Sequence, residues 1–273
     1  MTSSSLQMLS LVAALVAAGA FAGLIAGLFG VGGGTVIVPA LFYAFAVLRL
    51  GGESNLHVAV GSSLAVIIAT SFRSLAAHRA HGVVDDAVLK TWSPWVAVGG
   101  GVGAALAGVS SQEALTVVYA IAVTLVAAQL GLAKESWTLR SDLPGGWWRR
   151  GLGTFIGLLS AMMGVGGGAM GSMLMTLCGR PIHQAVATAS GFGLAIGIPA
   201  TLGFLVFGWD APGRPPLSLG YVNVPAVLVM GLLTGAVAPY GAKLAHRLDR
   251  RMLRRAFAVF LVLTAISIAA KTL

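Results

Sequence analysis

The sequence predicts an all-α polytopic membrane protein made of two inverted repeats, each with a glycine-tipped helical hairpin plus three spanning helices. Hydrophobic residues make up 57% and charged residues 9% of the 273 residues, and the mean hydropathy is +0.91. A soluble domain of this length has too little polar surface to cover so much apolar material. Runs such as residues 6–29 and 182–207 are long enough to cross about 30 Å of hydrocarbon as helices. The sequence Gly-Val-Gly-Gly-Gly, which interrupts this apolar pattern, occurs at residues 30–34 and again at 164–168.

The first half of the chain contains five apolar segments. The first of them ends at the glycine run, and the second follows directly from it. Polar connectors at 49–55 and 73–90 and a tight Ser110-Ser111 turn separate the others. The segments are residues 6–29, 35–48, 56–72, 92–109 and 114–132.

The second half repeats this order after a polar linker. Residues 134–150 have Pro144, Gly145 and Gly146 at their centre, which is typical of a connector. We therefore divide the chain into an N-terminal transmembrane repeat (1–133), a cytoplasmic linker (134–150) and a C-terminal transmembrane repeat (151–273). The apolar segments of the second repeat are residues 151–163, 169–178, 182–207, 222–239 and 256–270.

Matching short segments indicate that the two halves are copies of each other. The glycine runs are the first match, and three others follow in the same order. They are His57-Val58-Ala59-Val60-Gly61-Ser62 with His183-Gln184-Ala185-Val186-Ala187-Thr188, Gly82-Val83-Val84-Asp85 with Gly220-Tyr221-Val222-Asn223, and Gly103-Ala104-Ala105-Leu106-Ala107 with Gly241-Ala242-Lys243-Leu244-Ala245.

The distribution of basic residues predicts the orientation of the chain. Five segments in each half place the second half in the membrane the other way up. With the N-terminus outside, 14 of the 17 lysine and arginine residues lie on the cytoplasmic side, and only Arg49, Arg214 and Lys271 lie outside. Cytoplasmic loops of membrane proteins carry such an excess of positive charge. We therefore expect both termini on the outer side of the membrane.

The glycine runs predict a binding site. The segments beside the second run have 13 and 10 residues, roughly 20 and 15 Å of helix, so neither crosses comfortably. We expect each pair to form a helical hairpin with its glycine tip near the bilayer midplane, although two full crossings remain the alternative. Irregular backbone survives in hydrocarbon only inside protein or beside a cavity. Paired breaks in matching positions of two halves are typical of a transporter's binding site.

These glycine runs, with the Ala-Val-Gly-Ser-Ser segment at residues 59–63, resemble the sulfite exporter TauE/SafE family, also called the toluene-sulfonate uptake permeases. The resemblance covers nearly the whole chain. It implies transport of small sulfur-containing or carboxylated organic anions across the bacterial inner membrane. One difference from the family pattern is visible, because Met173 stands where the first hairpin has Pro39. The two hairpins are therefore not expected to bend alike.

An anion site of main-chain amides is energetically sufficient. Within the predicted spans there is no Asp, Glu, Lys or Arg. An unpaired charge at the bilayer centre costs at least ~3 kcal/mol on insertion scales. A helix N-terminus returns ~1–2 kcal/mol, and each hydrogen bond to a charged group about 1.5–3 kcal/mol. The predicted substrate-binding residues are Gly32, Gly33, Gly34, Thr35, Ser62, Ser63, Gly166, Gly167, Gly168, Thr188 and Ser190.

Each polar residue on this list has a simpler alternative role. A hydroxyl on a membrane helix often bonds to a neighbouring helix or to its own helix carbonyls. His57 and His183, at the starts of matching segments, are either interfacial hydrogen-bonding residues or proton carriers, and we favour the first. The spaced glycines Gly19, Gly23 and Gly27, Gly99 with Gly103, and Gly231 with Gly235 are predicted to mediate helix packing.

The function expected is passage of a small organic or inorganic sulfur-containing anion, by rocking of two repeats, with export or facilitated exchange favoured. Proton-coupled uptake of a sulfonate, thiosulfate or small carboxylate is the alternative, and a membrane protein without transport activity is a remote one. We expect no enzyme activity, cofactor or metal site, because the spans hold no clustered nucleophiles, acids or metal ligands. Membrane lipid is an expected partner and nucleic acid is not, since positive-inside connectors account for the net charge of +9. The oligomeric state is left open.

Overall fold

A computed structural model describes residues 13, 15–25, 34–48, 50, 52–132, 139–245 and 250–272. This part of the chain is almost entirely helical, as predicted. Its helices are α1 (Leu15–Ile25), α2 (Gly34–Val47), α3 (Asn55–Ala80), α4 (Asp86–Val109), α5 (Gln112–Leu132), α6 (Gly146–Met162), α7 (Gly168–Leu177), α8 (Ile182–Phe207), α9 (Val224–Ala245) and α10 (Arg250–Thr272). A short antiparallel hairpin precedes α9, with two residues in each strand, β1 (Ser218–Leu219) and β2 (Val222–Asn223).

Five of the described helices are long and apolar enough to cross a membrane. They are α3, α4, α5, α8 and the Arg254–Thr272 portion of α10. The protein is therefore a multi-pass α-helical membrane protein, as its composition predicts. The first glycine run lies outside the described residues except for Gly34, and so do the chain termini and the first part of the linker.

Several predicted connectors are shorter than expected, because polar residues continue the helices. The predicted connector 73–90 is wrong at both ends, since α3 runs on to Ala80 and α4 begins at Asp86. The Asp85 carboxylate accepts from the amide of Val88 at 3.1 Å and so caps the start of α4. Likewise α6 begins at Gly146, inside the predicted linker.

The described connectors lie at two opposite ends of the helix bundle, as contacts between the loops show. At one, called the Asn55 end, the amide of Gly52 donates to Gly213 O at 3.0 Å, and the amide of Leu56 donates to Gln112 Oε1 at 3.4 Å. At the other, called the Asp85 end, the Arg180 guanidinium pairs with Asp85 at 3.6 Å and with Asp142 at 3.3 Å. The loops before α3, α5 and α9 therefore share one end, and those before α4, α6 and α8 share the other.

Two pairs of helices start at opposite ends of the bundle. α3 starts at the Asn55 end, whereas α8 starts beside Arg180 at the Asp85 end. α4 starts at the Asp85 end, whereas α9 follows Asn223, whose amide donates to Ser62 near the start of α3. α3 and α8 pack against each other and form the centre of the bundle.

The α6–α7 pair returns the chain to the end from which it started. The amide of Leu139, shortly before α6, donates to Leu177 O at the end of α7 at 2.8 Å. α6 has 17 residues and α7 has 10, or about 25 and 15 Å of helix. α7 is too short to cross about 30 Å of hydrocarbon, so this pair enters and leaves at the Asp85 end.

Close helix packing is confirmed at four of the predicted glycines. Gly99 and Gly103 of α4 lie against the backbone of α6 at Thr154 and Leu158. On α1, Gly19 and Gly23 lie against α9. Among the described residues, nothing lies within 4 Å of a Cβ placed at Gly231, and Gly235 meets only Arg73 Nη1 at 3.5 Å. Gly27 lies outside the described residues. The packing role of these three glycines stays a prediction.

Replacing Gly99 by alanine is expected to destabilise the protein. A Cβ at Gly99 would overlap the Thr154 carbonyl group, which is backbone and cannot swing away. Overpacking of this kind typically costs about 1–3 kcal/mol. Gly101→Ala is the matched control, because its Cβ would meet only the Cβ of Pro199 at 3.9 Å, an ordinary contact. Denaturation in mixed micelles should show a lower free energy of unfolding for Gly99→Ala and an unchanged one for Gly101→Ala.

Candidate functional site

The second glycine run ends α6 and starts α7 through two left-handed residues. Gly164 has φ of +69° and Gly167 has φ of +68°, values that residues with a Cβ adopt at a cost. The amide of Val165 donates to Ser160 O at 2.8 Å, which closes the last turn of α6. α7 then begins at Gly168 without a side-chain cap. The run therefore makes a tight break whose following helix has a free N-terminus.

The end of the first glycine run lies directly against the second. A Cβ at Gly34 would be 2.7 Å from Gly164 O and 3.0 Å from the Cα of Val165. A side chain at residue 34 would therefore force the backbones apart. The first described residue of α2, Gly34, therefore lies close to the break from which α7 starts at Gly168.

α3 supplies one wall around this junction. The Ser63 hydroxyl donates to Gly164 O at 2.8 Å, and both groups are buried. One turn along α3, the Ile67 side chain contacts both runs, because a Cβ at Gly34 or Gly166 would meet its methyl groups. Ser63 thus holds the second break against a helix of the other half.

α8 and α6 supply the other wall. A Cβ at Gly166 would lie 3.2 Å from the Cα of Gly193 on α8. A Cβ at Gly167 would overlap the Ile196 side chain and lie 3.7 Å from the Ser160 hydroxyl oxygen. Ser160 is buried on α6. The described residues therefore close tightly around the second run.

Hydrogen-bond donors at this junction are left without partners. The first amides of a helix have no intrahelical acceptor, and within the described chain no group accepts from Gly166, Gly167 or Gly168. The Thr35 hydroxyl, in the first turn of α2, is 1% exposed and has no partner among the described residues. A buried hydroxyl without a partner costs about 1–3 kcal/mol. Such a cost is offset when a ligand supplies the missing acceptor.

Ser62 and Thr188, predicted as matching substrate donors, make matching contacts between the halves, the alternative role stated for such hydroxyls. Ser62 Oγ accepts from the amide of Asn223 at 2.8 Å, and Thr188 Oγ1 accepts from the amide of Asp85 at 2.8 Å. Asn223 also caps α9, since its Oδ1 accepts from the amide of Ala226 at 3.0 Å, as Asp85 caps α4. Each hydroxyl therefore fixes the capping residue of the other half.

The other predicted substrate-binding residues are Ser190, Gly32 and Gly33. The Ser190 hydroxyl donates to Ala187 O of its own helix at 2.6 Å, which is the simpler alternative for such a residue. Gly32 and Gly33 lie outside the described residues. The substrate-binding role of all the predicted residues stays a prediction.

The two histidines in matching sequence positions have different environments. His57 is 3% exposed, its Nε2 lies 3.0 Å from Ala107 O and 3.2 Å from Ser110 O, and its ring stacks on Tyr221 at 4.8 Å. Two carbonyl acceptors fix the proton on Nε2 and join α3 to the end of α4. His183 is exposed at the start of α8. His57 thus has a packing role, and the proton-carrier role stays untested for both.

An open cleft of about 390 Å³ lies at the Asn55 end, away from the glycine junction. Among its lining residues are Asn55, Gln112 and Lys271. The Lys271 ammonium group lies 4.7 Å from the centre of the Tyr43 ring, a cation–π contact. The cleft therefore offers a positive surface close to the starts of α3 and α5.

Two residues at the junction were missed from the sequence. Ser160 and Ile67 both lie against the second glycine run. Comparison of the halves gave no indication of Ser160, because its counterpart, eight residues before the last glycine of the first run, is Ala26. Ile67 is one of many apolar residues on its helix, so only contacts distinguish it.

A family model for the sulfite exporter TauE/SafE matches residues 15–268, which is nearly the whole chain. The chain belongs to the sulfite exporter TauE/SafE family. This TauE/SafE chain is 30% identical over 255 residues to a probable membrane transporter protein of Haemophilus influenzae, covering 93% of this chain and 96% of that one. It is 26% identical over 261 residues to the probable membrane transporter protein YunE of Bacillus subtilis, covering 87% of this chain and 88% of that one. No solved structure matches it. The chain is thus a multi-pass membrane transporter of the TauE/SafE family.

Thr188→Val should destabilise this TauE/SafE protein by about 1–3 kcal/mol, because it leaves the amide of Asp85 without an acceptor. The shape of the side chain is kept, so little packing is lost. The control is Thr91→Val, whose exposed hydroxyl donates only to carbonyls of its own helix, Ala87 O at 2.8 Å and Val88 O at 3.3 Å. Unfolding in mixed micelles measures both, and equal stabilities would mean that the Thr188 contact contributes nothing.

Proposed function

We propose that this protein carries a small sulfur-containing oxyanion, such as sulfite or a sulfonate, across the bacterial inner membrane, and that the anion binds at the junction of the two glycine runs. The groups at this junction that can bind a ligand are neutral hydrogen-bond donors, not cationic side chains. Amide N–H and hydroxyl O–H groups suit the several acceptor oxygens of such an anion.

The observation that carries the proposal is the free start of α7 together with an unpartnered buried hydroxyl in the first described turn of α2. Gly34, at the start of α2, contacts Gly164 and Val165, and α7 starts three residues after Val165. Thr35 Oγ1 is buried there without a described partner. Helix N-termini favour anions through their free amides and dipole. Together these groups supply more than the ~3 kcal/mol that a charge at the bilayer centre costs.

Opposite helix directions support a transport cycle based on inverted repeats. α3 and α8 run antiparallel, and α4 and α9 likewise start at opposite ends. The Ser62–Asn223 and Thr188–Asp85 hydrogen bonds are related in the same way and lie at opposite ends. Two such halves can exchange arrangements by rocking about a site between them.

The tight packing of the junction implies an occluded state. Side chains of Ile67 and Ile196 lie against the glycine run, and Ser63 and Ser160 are buried beside it. An anion reaches the free amides only when α3 and α8 separate from the run at one end. Transport then requires that one end opens while the other stays closed, because two open ends would make a channel.

The charge of the two ends supports the expected orientation. Arg79, Arg140, Arg149, Arg150 and Arg180 lie in or next to loops of the Asp85 end. Arg214 and Lys271 lie at the Asn55 end. The positive-inside rule makes the Asp85 end cytoplasmic, which agrees with termini on the periplasmic side.

Membrane potential favours export of the anion. With the interior negative, outward movement of one negative charge gains ~2.3 kcal/mol per 100 mV and needs no coupling ion. Uptake needs a driving ion, and the predicted spans contain no carboxylate to relay a proton. We therefore propose export or facilitated exchange as the direction of transport.

Thr35→Val should weaken substrate binding without weakening the fold. Losing one hydrogen bond to a charged ligand lowers affinity by about 10-fold to 100-fold. Stability should hold or rise, because a buried hydroxyl without a partner is replaced by a methyl group. Uptake of radiolabelled sulfite into proteoliposomes gives the apparent KM, and unfolding in micelles gives the stability.

Thr176→Val is the matched control for that variant, since the Thr176 hydroxyl donates to Met173 O of its own helix at 2.9 Å. It should transport like the wild type. A Thr35→Val protein that keeps the wild-type KM for every anion tested removes Thr35 from the site. One that loses stability shows that the hydroxyl is structural.

Proteoliposomes with imposed gradients should separate the two directions of coupling. A potential that is positive inside should drive sulfite accumulation, and a pH gradient with the potential clamped should not, because the anion itself carries the charge that moves. Accumulation driven by the pH gradient alone would instead establish proton-coupled uptake. His57→Gln and His183→Gln would then identify the residue responsible.

A further inference from the structure

Trp95 of α4 contacts Arg150 of α6, which also contacts Trp147, where α4 packs against the start of α6. Trp148 and Arg149 lie between Trp147 and Arg150 in the first turn of α6. These five residues are called the cluster below. The guanidinium carbon of Arg150 lies 5.0 Å from the centre of the Trp95 ring and 5.1 Å from that of Trp147. Arg150 is thus held between an indole of each helix by cation–π contacts.

The positive charge of the cluster is not neutralised within the described chain. The ion pairs among the described residues are Arg79–Asp86, Arg180–Asp85 and Arg180–Asp142. Neither Arg149 nor Arg150 therefore has an acidic partner there. The Nε of Arg149 is buried without an acceptor among the described residues. α6 starts in the same place with no side-chain cap, so its first amides add to the positive potential.

The surface around the cluster is apolar and continuous with the flank of the bundle. Trp147 is 83% and Trp148 71% exposed. Further along the same two helices, Val98, Val102 and Phe155 are also exposed. Exposed indoles at helix ends lie at the headgroup level of a bilayer, and an exposed aliphatic stripe beyond them faces acyl chains.

We propose that this cluster binds the phosphate of an anionic phospholipid. Arg149 and Arg150 donate to the phosphate oxygens, the tryptophans lie around the glycerol region, and the acyl chains follow the stripe of Val98, Val102 and Phe155. Arginine suits phosphate because its planar group offers two parallel donors. The apolar stripe selects a lipid over free phosphate, which has no chains to place there. This inference is independent of the anion that the protein transports.

Lipid retention by the purified protein tests the proposal. Native mass spectrometry after exchange into neutral detergent, with phosphatidylglycerol or phosphatidylcholine added, counts the lipids bound, and thermal unfolding gives the stabilisation. The wild type should bind phosphatidylglycerol in preference to phosphatidylcholine. The double variant R149Q/R150Q should bind phosphatidylglycerol about tenfold more weakly or worse, because charge-assisted hydrogen bonds are lost.

The matched control is the double variant K90Q/R140Q. It removes the same amount of charge from the Asp85 end but leaves the cluster intact, so it should retain wild-type binding. If both double variants lost phosphatidylglycerol binding equally, net charge alone would explain the effect, and the proposal would be overturned. Equal stabilisation by inorganic phosphate, which lacks chains, or unchanged binding in R149Q/R150Q would overturn it too.

If R149Q/R150Q fails to fold, the single variants R150K and R150Q test the proposal in its place. R150K keeps the charge but loses the planar group between Trp95 and Trp147, so retention of phosphatidylglycerol should fall in R150K and fall further in R150Q. Wild-type retention in both would overturn the proposal. Transport is not the readout, so failure here leaves the proposed anion site unaffected.

Discussion

The contact between Gly34 and the Gly164–Val165 backbone is the constraint on which the rest of this structure depends. With no Cβ at residue 34, the start of α2 approaches Gly164 O to a distance that any side chain would prevent. That approach brings the first described turn of α2 beside the start of α7, and the Ser63 hydroxyl donates to the same Gly164 carbonyl from α3. Glycine is required here because two main chains meet, and the free amides belong to the start of α7 at the meeting point.

The hydroxyls near the glycine junction differ in the partners that the structure gives them. Ser62 and Thr188 each accept from the amide of a capping residue in the other half, so their oxygens join the halves while their O–H groups keep the capacity to donate. Ser190 donates to a carbonyl of its own helix. The Thr35 hydroxyl has no partner among the described residues. A sequence rule that treats all hydroxyls near a break alike cannot separate these uses, because the difference lies in which backbone each oxygen faces.

Much of the architecture could be predicted because it depends on local patterns. The bounds of α8 were predicted from the apolar run between Pro181 and Gly208, and the tight Gly99 and Gly103 packing from their spacing. The end of α3 was missed because hydropathy falls at Arg73, whereas a helix continues as long as its backbone bonds do. The β1–β2 hairpin was missed because each strand has only two residues, too few to show an alternating pattern. Ser160 was missed because its counterpart in the first half is Ala26, which has no hydroxyl.

The predicted match between the two halves breaks down at Ser63, and this has an energetic consequence. Ser63 donates to Gly164 O, but the residue after Thr188 in the matching position is Ala189, which has no hydroxyl. If the halves exchange arrangements during transport, this hydrogen bond cannot be remade on the other side. A buried bond of this kind contributes about 0.5–1.5 kcal/mol. The two end states then differ in population by roughly fivefold from this bond alone, so the empty carrier rests preferentially in the state that keeps Ser63 bonded.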